Sequence, residues 1–344
     1  SHLVGYVQSI SGDELKKNID KGYTSSSVIG KTGLEKVYED RLRGIDGYEI
    51  YIADSSEAKK HTIVKREKKD GEDIKLTIDS NLQKVTQDAL ENCINKIRSG
   101  GFSQTYDAQG GSAVVMNVNT GEVLATASYP TFEPQWFVGG ISQENWAYLR
   151  DDQRHPQLNK TTQSAYAPGS IFKMVTAIAG LETNKITPTE KINDIGVYPR
   201  GHHPVCWYYT SFHSGHGYLN VSEAIKHSCN YFFYELGYRM GIDTLSKYAS
   251  YFGLGRKTGI ELQGEAVGDL ATREKVEKQN KEWYLADTLS AAIGQSYNNF
   301  TPVQMAKYIS MLVNGGNPID VSIVKNIINI DGQEVSKQEI NEFV

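Results

Sequence analysis

An apolar stretch with a single lysine inside it restricts this chain more than any other feature. It runs Ala167-Pro168-Gly169-Ser170-Ile171-Phe172-Lys173-Met174-Val175-Thr176-Ala177-Ile178-Ala179-Gly180. Periodicity predicts a core helix with little wet surface, started by the break at Pro168-Gly169. Ser170 and Lys173 stand at i and i+3, so hydroxyl and amine share one helix face. A lysine in apolar surroundings loses solvation of its charged form, and its pKa falls. A neutral amine can then act as base toward a serine nucleophile, and the helix N-terminus adds positive potential where an oxyanion would form. Ser-x-x-Lys alone recurs by chance. Lysine in a core helix does not.

Composition narrows the setting. At 344 residues the chain suits two domains or one large one, and 39% hydrophobic with 22% charged content is globular. A net charge of -5 argues against nucleic acid as the main partner. No apolar run is long enough to cross a bilayer, and the opening Ser1-His2-Leu3-Val4-Gly5 does not read as a signal peptide. A membrane anchor, if the native protein has one, is expected to lie outside this chain. Three cysteines are too few for a disulfide scaffold.

Texture changes along the chain. The first seventy or so residues are polar and glycine-punctuated, with one amphipathic piece from Leu34 to Leu42. The charged runs Glu57–Lys60 and Lys65–Asp73 are of the kind that forms solvated loops or hairpin tips, and are expected to be the linker region. Ile74–Ile78 alternates like a strand, and Asp79 and Ser80 offer caps for a helix. That helix is expected to bury Leu82, Val85, Ala89 and Cys93, with Leu90, Ile94 and Ile97 adjoining. Ser112–Val118 and Glu122–Ser128 read as a hairpin around Asn119-Thr120-Gly121. Helical patterns dominate from Ser170 to Ile242 and from Thr301 to Val313. Strands on either side of a helical middle imply α+β with an antiparallel sheet. Domains are expected at 1–73 and 74–344.

Downstream of Ser170 lies Ser228-Cys229-Asn230. As residues these three could be plain turn formers. Chemically, Ser228 could relay a proton between Lys173 and a departing amine while Asn230 orients lysine or substrate. Ser-x-x-Lys followed by Ser-x-Asn resembles the penicilloyl serine transferases, which include penicillin-binding proteins and serine β-lactamases. The resemblance extends to Gly110–Pro130, to Tyr166–Lys173, and to Gly294-Gln295-Ser296 with Thr301-Pro302-Val303-Gln304, although that family usually has glycine where Ser296 stands. Gly5-Tyr6-Val7, Gly30–Glu39 and Leu42-Arg43-Gly44 are similar to the pedestal of class B enzymes of the penicillin-binding protein 2 type. The resemblance therefore covers nearly the whole chain. It implies a β-lactamase/transpeptidase-like domain, an antiparallel sheet flanked by helices, preceded by a smaller pedestal.

Two further patterns mislead. Gly30-Lys31-Thr32 is no phosphate loop, because its first glycine position holds Ser25. Lys257-Thr258-Gly259 resembles a helix-ending loop of the family and not its third motif, the Lys-Thr-Gly on a strand lining the site. That motif is expected downstream of Gly315-Gly316, and none occurs before Val344.

Between the two serine motifs ligand residues are dense: Asp194, His202, His203, Cys206, His213, His216 and Cys229. Zinc favours thiolate and imidazole in a closed tetrahedron. Some relatives of this type carry a zinc in this insertion, which implies a structural site of Asp194, Cys206, His216 and Cys229. A Cys206–Cys229 disulfide and unrelated surface histidines remain open alternatives.

What the resemblance implies is a peptidoglycan D,D-transpeptidase on the extracellular face of the cytoplasmic membrane, held by an anchor outside this chain. Ser170, Lys173, Ser228 and Asn230 would act on stem peptides without a cofactor for the chemistry. β-Lactams would trap Ser170, and a glycosyltransferase of the elongation machinery would be a partner. The alternatives are a β-lactamase or β-lactam sensor with the same nucleophile, or an inactive scaffold.

Overall fold

The computed structural model describes residues 1–53 and 59–335. Glu57 and Ala58 of the first charged run lie outside them. Near the N-terminus Val7–Ser9 pairs antiparallel with Val28–Gly30. Between them a helix, Gly12–Asn18, starts at a reciprocal cap in which Ser11 and Glu14 bond each other's backbone. The amphipathic piece becomes two short helices, Gly33–Val37 and Glu39–Leu42.

The expected linker is part strand: residues 59–66 form one, while residues 67–72 lie outside any strand. Lys59–Arg66 pairs antiparallel with Tyr48–Ala53 in a ribbon that is two-stranded among the described residues. Tyr48, Ile50, Ile52 and Ile63 are about half exposed along it. A ribbon wet on both faces can be built from alternating charge, so the charge run did not exclude a strand.

Leu34 and Tyr38, each 4% exposed, belong to one apolar cluster with Val123, Ile260, Val303, Val321 and Ile323. The N-terminal part is thus seated in the core of the larger C-terminal part. Asp73–Leu76 opens that larger part and pairs antiparallel with Val324–Ile328, which also pairs with Glu334–Val335. Asp79 caps the helix Ser80–Arg98 by accepting from the Leu82 N–H at 2.8 Å.

This helix corrects the expected stripe. Val85 is 63% exposed, Ala89 and Cys93 are also exposed, and Ile94 alone is fully buried. The contact runs along Leu90 and Ile94 because Gly111 lets the hairpin approach there; a Cβ on Gly111 would sit 3.1 Å from Ile94. The hairpin itself is Gly111–Met116 with Val123–Tyr129, and Gly121 takes φ +78 in its turn as expected.

The helical middle packs Lys173–Glu182, Asn230–Tyr251 and Leu285–Ala292 around Phe232, Phe233, Leu236, Ile242 and Leu289. Asn230–Tyr251 kinks at Gly241. An insertion between the serine motifs is closed by Ile192–Asp194 pairing with Gly217–Leu219 and carries the short helix Trp207–Phe212. The α+β class holds, and the sheets of the described residues are antiparallel. Among the described residues, however, the strands form five small sheets and not one continuous one.

Candidate active site

Ser170 sits in a tight 3₁₀ turn, Gly169–Phe172, that runs directly into the helix Lys173–Glu182. The serine is exposed and Lys173 is 2% exposed, so the turn carries one residue at the surface and aims the next charge inward. Several contacts fix that turn from behind. Tyr166 and Phe300 exchange both backbone hydrogen bonds at 2.9 Å, and the Gly169 N–H donates to the Gly294 carbonyl at 2.9 Å. The Tyr308 hydroxyl donates to the Ile171 carbonyl, and Phe172 stacks on Phe300. Gly294 has φ +74, and a Cβ there would lie 2.2 Å from the Gly169 oxygen. The stretch Gly294-Gln295-Ser296 is therefore the back wall of the turn bearing Ser170. Ser296 itself has φ +62, the left-handed region where glycine is preferred.

Lys173 and Ser170 do not meet as their i, i+3 spacing suggested. The ammonium spends its three hydrogens on the Ser228 carbonyl at 2.8 Å, the Ser228 Oγ at 3.0 Å and the Asn230 Oδ1 at 2.6 Å. The Ser228 hydroxyl in turn donates to the Ser170 Oγ at 2.9 Å. The link from the Lys173 amine to the Ser170 hydroxyl thus runs through Ser228. Ser228 stands between two helices, Val221–Lys226 and Asn230–Tyr251, in a left-handed conformation with φ +48. That turn points both its carbonyl and its hydroxyl at Lys173. Burial brings the Lys173 ammonium down to about 8, against the thiols of Cys229 and Cys206, which act to raise it. The ring of Phe233, 5.7 Å away, offers the cation a π-face.

A second group of side chains lies just behind Ser228. One donor atom from each of Asp194, Cys206, His216 and Cys229 falls within 4.8 Å of all the others. Asp194 is 2% exposed and both thiols are fully buried. His216 Nδ1 is 2.6 Å from Asp194 Oδ2 and 3.7 Å from Cys206 Sγ. Its Nε2 is buried without a partner. The Cys229 thiol donates to Asp194 at 3.3 Å, and both cysteines are free. Two sulfurs, one imidazole and one carboxylate converging in a dry site fit a tetrahedral zinc. His202, His203 and His213 are not members of the cluster.

Lys257-Thr258-Gly259 lies in a loop, and Glu265 takes up the polar groups of Thr258 and the Gly259 N–H. The Thr258 N–H and hydroxyl donate to Glu265 Oε1 at 2.7 and 2.6 Å, and the Gly259 N–H donates to Oε2. Trp207 escaped sequence reasoning. Its indole N–H donates to the Ser228 carbonyl at 3.0 Å, and adjacency to Cys206 was the one available signal.

Residues 111–344 match the penicillin binding protein transpeptidase domain, and residues 1–76 match the penicillin-binding protein dimerisation domain. The peptidoglycan D,D-transpeptidase MrdA of Acinetobacter baumannii is 34% identical over 93% of this chain and 45% of its own length. That of Haemophilus influenzae is 35% identical over 95% of this chain and 48% of its own. The chain thus spans about half the length of the curated relatives it matches. A penicillin-binding protein 2 from Helicobacter pylori, solved in complex with MreC, superposes with TM-score 0.81 at 31% identity. It covers the whole of this chain and 60% of that one. Pseudomonas aeruginosa PBP2, solved in complex with WCK 5153, gives 0.76 at 33% identity, over 98% of this chain and 66% of that one. With a transpeptidase match over most of its length and a serine–serine–lysine chain at its centre, this polypeptide belongs to the penicillin-binding protein transpeptidase family, of the class B penicillin-binding protein 2 type.

Proposed function

We propose that the chain carries the acyl-transfer centre of a peptidoglycan D,D-transpeptidase, and one observation carries the reading. Ser170 Oγ, Ser228 Oγ and Lys173 Nζ form a continuous hydrogen-bonded chain with steps of 2.9 and 3.0 Å. With Lys173 charged, each donor in the chain points toward Ser170. Loss of one lysine proton reverses both bonds, and Ser170 then donates to Ser228 and Ser228 to the amine. The Ser170 oxygen attacks the carbonyl of the penultimate D-Ala of a stem peptide, and its proton moves through Ser228 to Lys173. The tetrahedral oxyanion faces the Ser170 N–H; the other donor is expected from the third-motif strand. The C–N bond breaks, the terminal D-Ala amine takes the proton back, and an ester on Ser170 remains. An amine from a second stem attacks that ester, which re-forms the serine and completes the cross-link. Asn230 holds the lysine and the acyl-side amide.

Zinc is the expected ion for Asp194, Cys206, His216 and Cys229, where it would neutralise the thiolates and brace the turn bearing Ser228. It takes no part in acyl transfer. Residues 1–73 form the pedestal and 74–344 the transpeptidase domain in this reading. The working place is the extracellular face of the cytoplasmic membrane, and no helix of the described residues is long and apolar enough to cross it. One penicillin-binding protein 2 relative was solved with MreC, and another similar structure comes from a peptidoglycan synthase complex that polymerises and crosslinks. Membrane-bound elongation partners, including a glycosyltransferase, are expected here too.

A fluorescent penicillin separates this reading from its rivals. Stable labelling that disappears in Ser170→Ala supports the transpeptidase. Rapid release of the label supports a β-lactamase, and no labelling supports a scaffold.

A further inference from the structure

We infer that Trp207 is a positioning residue for acyl transfer, its indole N–H holding the Ser228 turn so that the hydroxyl stays between Ser170 and Lys173. The inference rests on the transpeptidase reading. Trp207 reaches Ser228 from a separate element, at the start of the helix Trp207–Phe212 in the insertion. Its Nε1–H donates to the Ser228 carbonyl at 3.0 Å and, at 3.3 Å, to that of His227.

The same Ser228 oxygen accepts from Lys173 at 2.8 Å. One carbonyl thus carries two donors, one neutral and fixed, the other a charged side chain that must give up a proton during reaction. The turn needs such a clamp. Ser228 is a non-glycine residue at φ +48. The Ser228 N–H donates to the Ile225 carbonyl at 3.0 Å and the Cys229 N–H to the Ala224 carbonyl at 2.9 Å. Trp207 and Lys173 hold the carbonyl side of the turn against relaxation toward ordinary backbone. Relaxation would rotate the carbonyl away from Lys173 and carry the Ser228 hydroxyl off the 2.9 Å contact with Ser170. When Lys173 discharges, its amine keeps an N–H for that carbonyl but loses the charge that strengthens the bond, while the indole's hold is unchanged.

The indole is itself held edge-on against His216, with ring centres 5.7 Å apart, and follows Cys206 directly. Trp207 is 43% exposed, which is more than core packing alone requires. An aromatic residue kept at the rim, with its N–H spent on the carbonyls of His227 and Ser228, suits a role in hydrogen bonding.

The test replaces Trp207 by 3-benzothienylalanine, which keeps the shape and puts sulfur where the N–H was, alongside Trp207→Phe. Acylation by a fluorescent penicillin is resolved into the prior binding constant and the acylation rate constant. Losing one donor to a reacting turn should slow acylation about tenfold in both variants. Binding and melting temperature should stay near wild type. In parallel, the Trp207 indole N–H resonance, assigned by its loss in Trp207→Phe, should exchange slowly with solvent and shift in Lys173→Met.

Wild-type acylation in the benzothienyl variant, or an indole N–H that exchanges as freely as an exposed one, overturns the inference while the transpeptidase reading stands. Absence of Ser170-dependent labelling in the wild type overturns both.

Discussion

Gly294→Ala probes the coupling between the turn bearing Ser170 and the wall behind it. The added methyl would sit 2.2 Å from the Gly169 carbonyl oxygen and 2.7 Å from Phe172 Cβ, at a residue with φ +74. Two costs combine. Left-handed backbone costs a non-glycine residue about 1–2 kcal/mol, and forcing a methyl into packed structure costs about 1–3 kcal/mol more. The obstacle is backbone on one side and the first carbon of a buried phenylalanine on the other, so neither yields by a rotamer change. The strain is expected to push Gly169 away and break its 2.9 Å bond to Gly294. Urea unfolding should report a loss of about 2–5 kcal/mol. Penicillin acylation should fall more steeply than stability explains, because the displaced turn carries Ser170. Gly139→Ala is the matched control, with φ +75 and nothing within 4 Å of the new methyl, and should lose only the conformational part. Equal losses in the two variants, with normal acylation in Gly294→Ala, would show that the wall does not hold the turn.

Ser296→Gly should stabilise the chain by about 1 kcal/mol, since φ +62 is strained for serine and its bond to Asp287 is long at 3.5 Å; urea unfolding reads this. Acylation should rise with pH. With Lys173 near 8, about a tenth of the amine is neutral at pH 7 and half at pH 8, so a stopped-flow rate flat from pH 7 to 9 would count against a lysine base. The linked stability has a definite sign. The folded value lies below the 10.5 of free lysine, so burying the charge costs stability in full below pH 8, and the cost is relieved as pH climbs toward 10.5. Thiol titration should find one reactive cysteine, Cys93, in the native protein and all three after denaturation with a chelator. One zinc per chain by elemental analysis should accompany it, and Cys206→Ser should lose the metal. A Cys206–Cys229 disulfide would give one thiol in both titrations.

Much of the site was legible because its signals are local or rare. A lysine in an apolar run announces a buried charge whatever surrounds it, and Asn119-Thr120-Gly121 announces a hairpin. Residue type alone marked seven candidate ligands from Asp194 to Cys229, and the resemblance picked out the four that converge. What escaped depended on partners distant in sequence. Ser170 and Lys173 share a helix face, yet the Ser228 carbonyl and Asn230 amide outbid the nearer hydroxyl for the ammonium. Trp207 acts through a backbone carbonyl, which no side-chain motif records. The helix Ser80–Arg98 offered two adjoining apolar stripes, and only the position of Gly111 decides between them. The ribbon of Tyr48–Ala53 and Lys59–Arg66 leaves apolar residues such as Ile50 and Ile63 half exposed, so no buried face imposed an alternation for the sequence to show.

Ser228→Ala bears most directly on whether Lys173 reaches Ser170 through Ser228. The quantity to follow is the acylation rate constant with a penicillin, with intact-protein mass confirming one adduct on Ser170. The relay predicts a loss of about 10²–10⁴-fold in rate with prior binding nearly unchanged, as for removal of a proton-transfer group. A variant acylated within about threefold of the wild-type rate, far short of that loss, would mean that the amine meets Ser170 without help and that no relay operates.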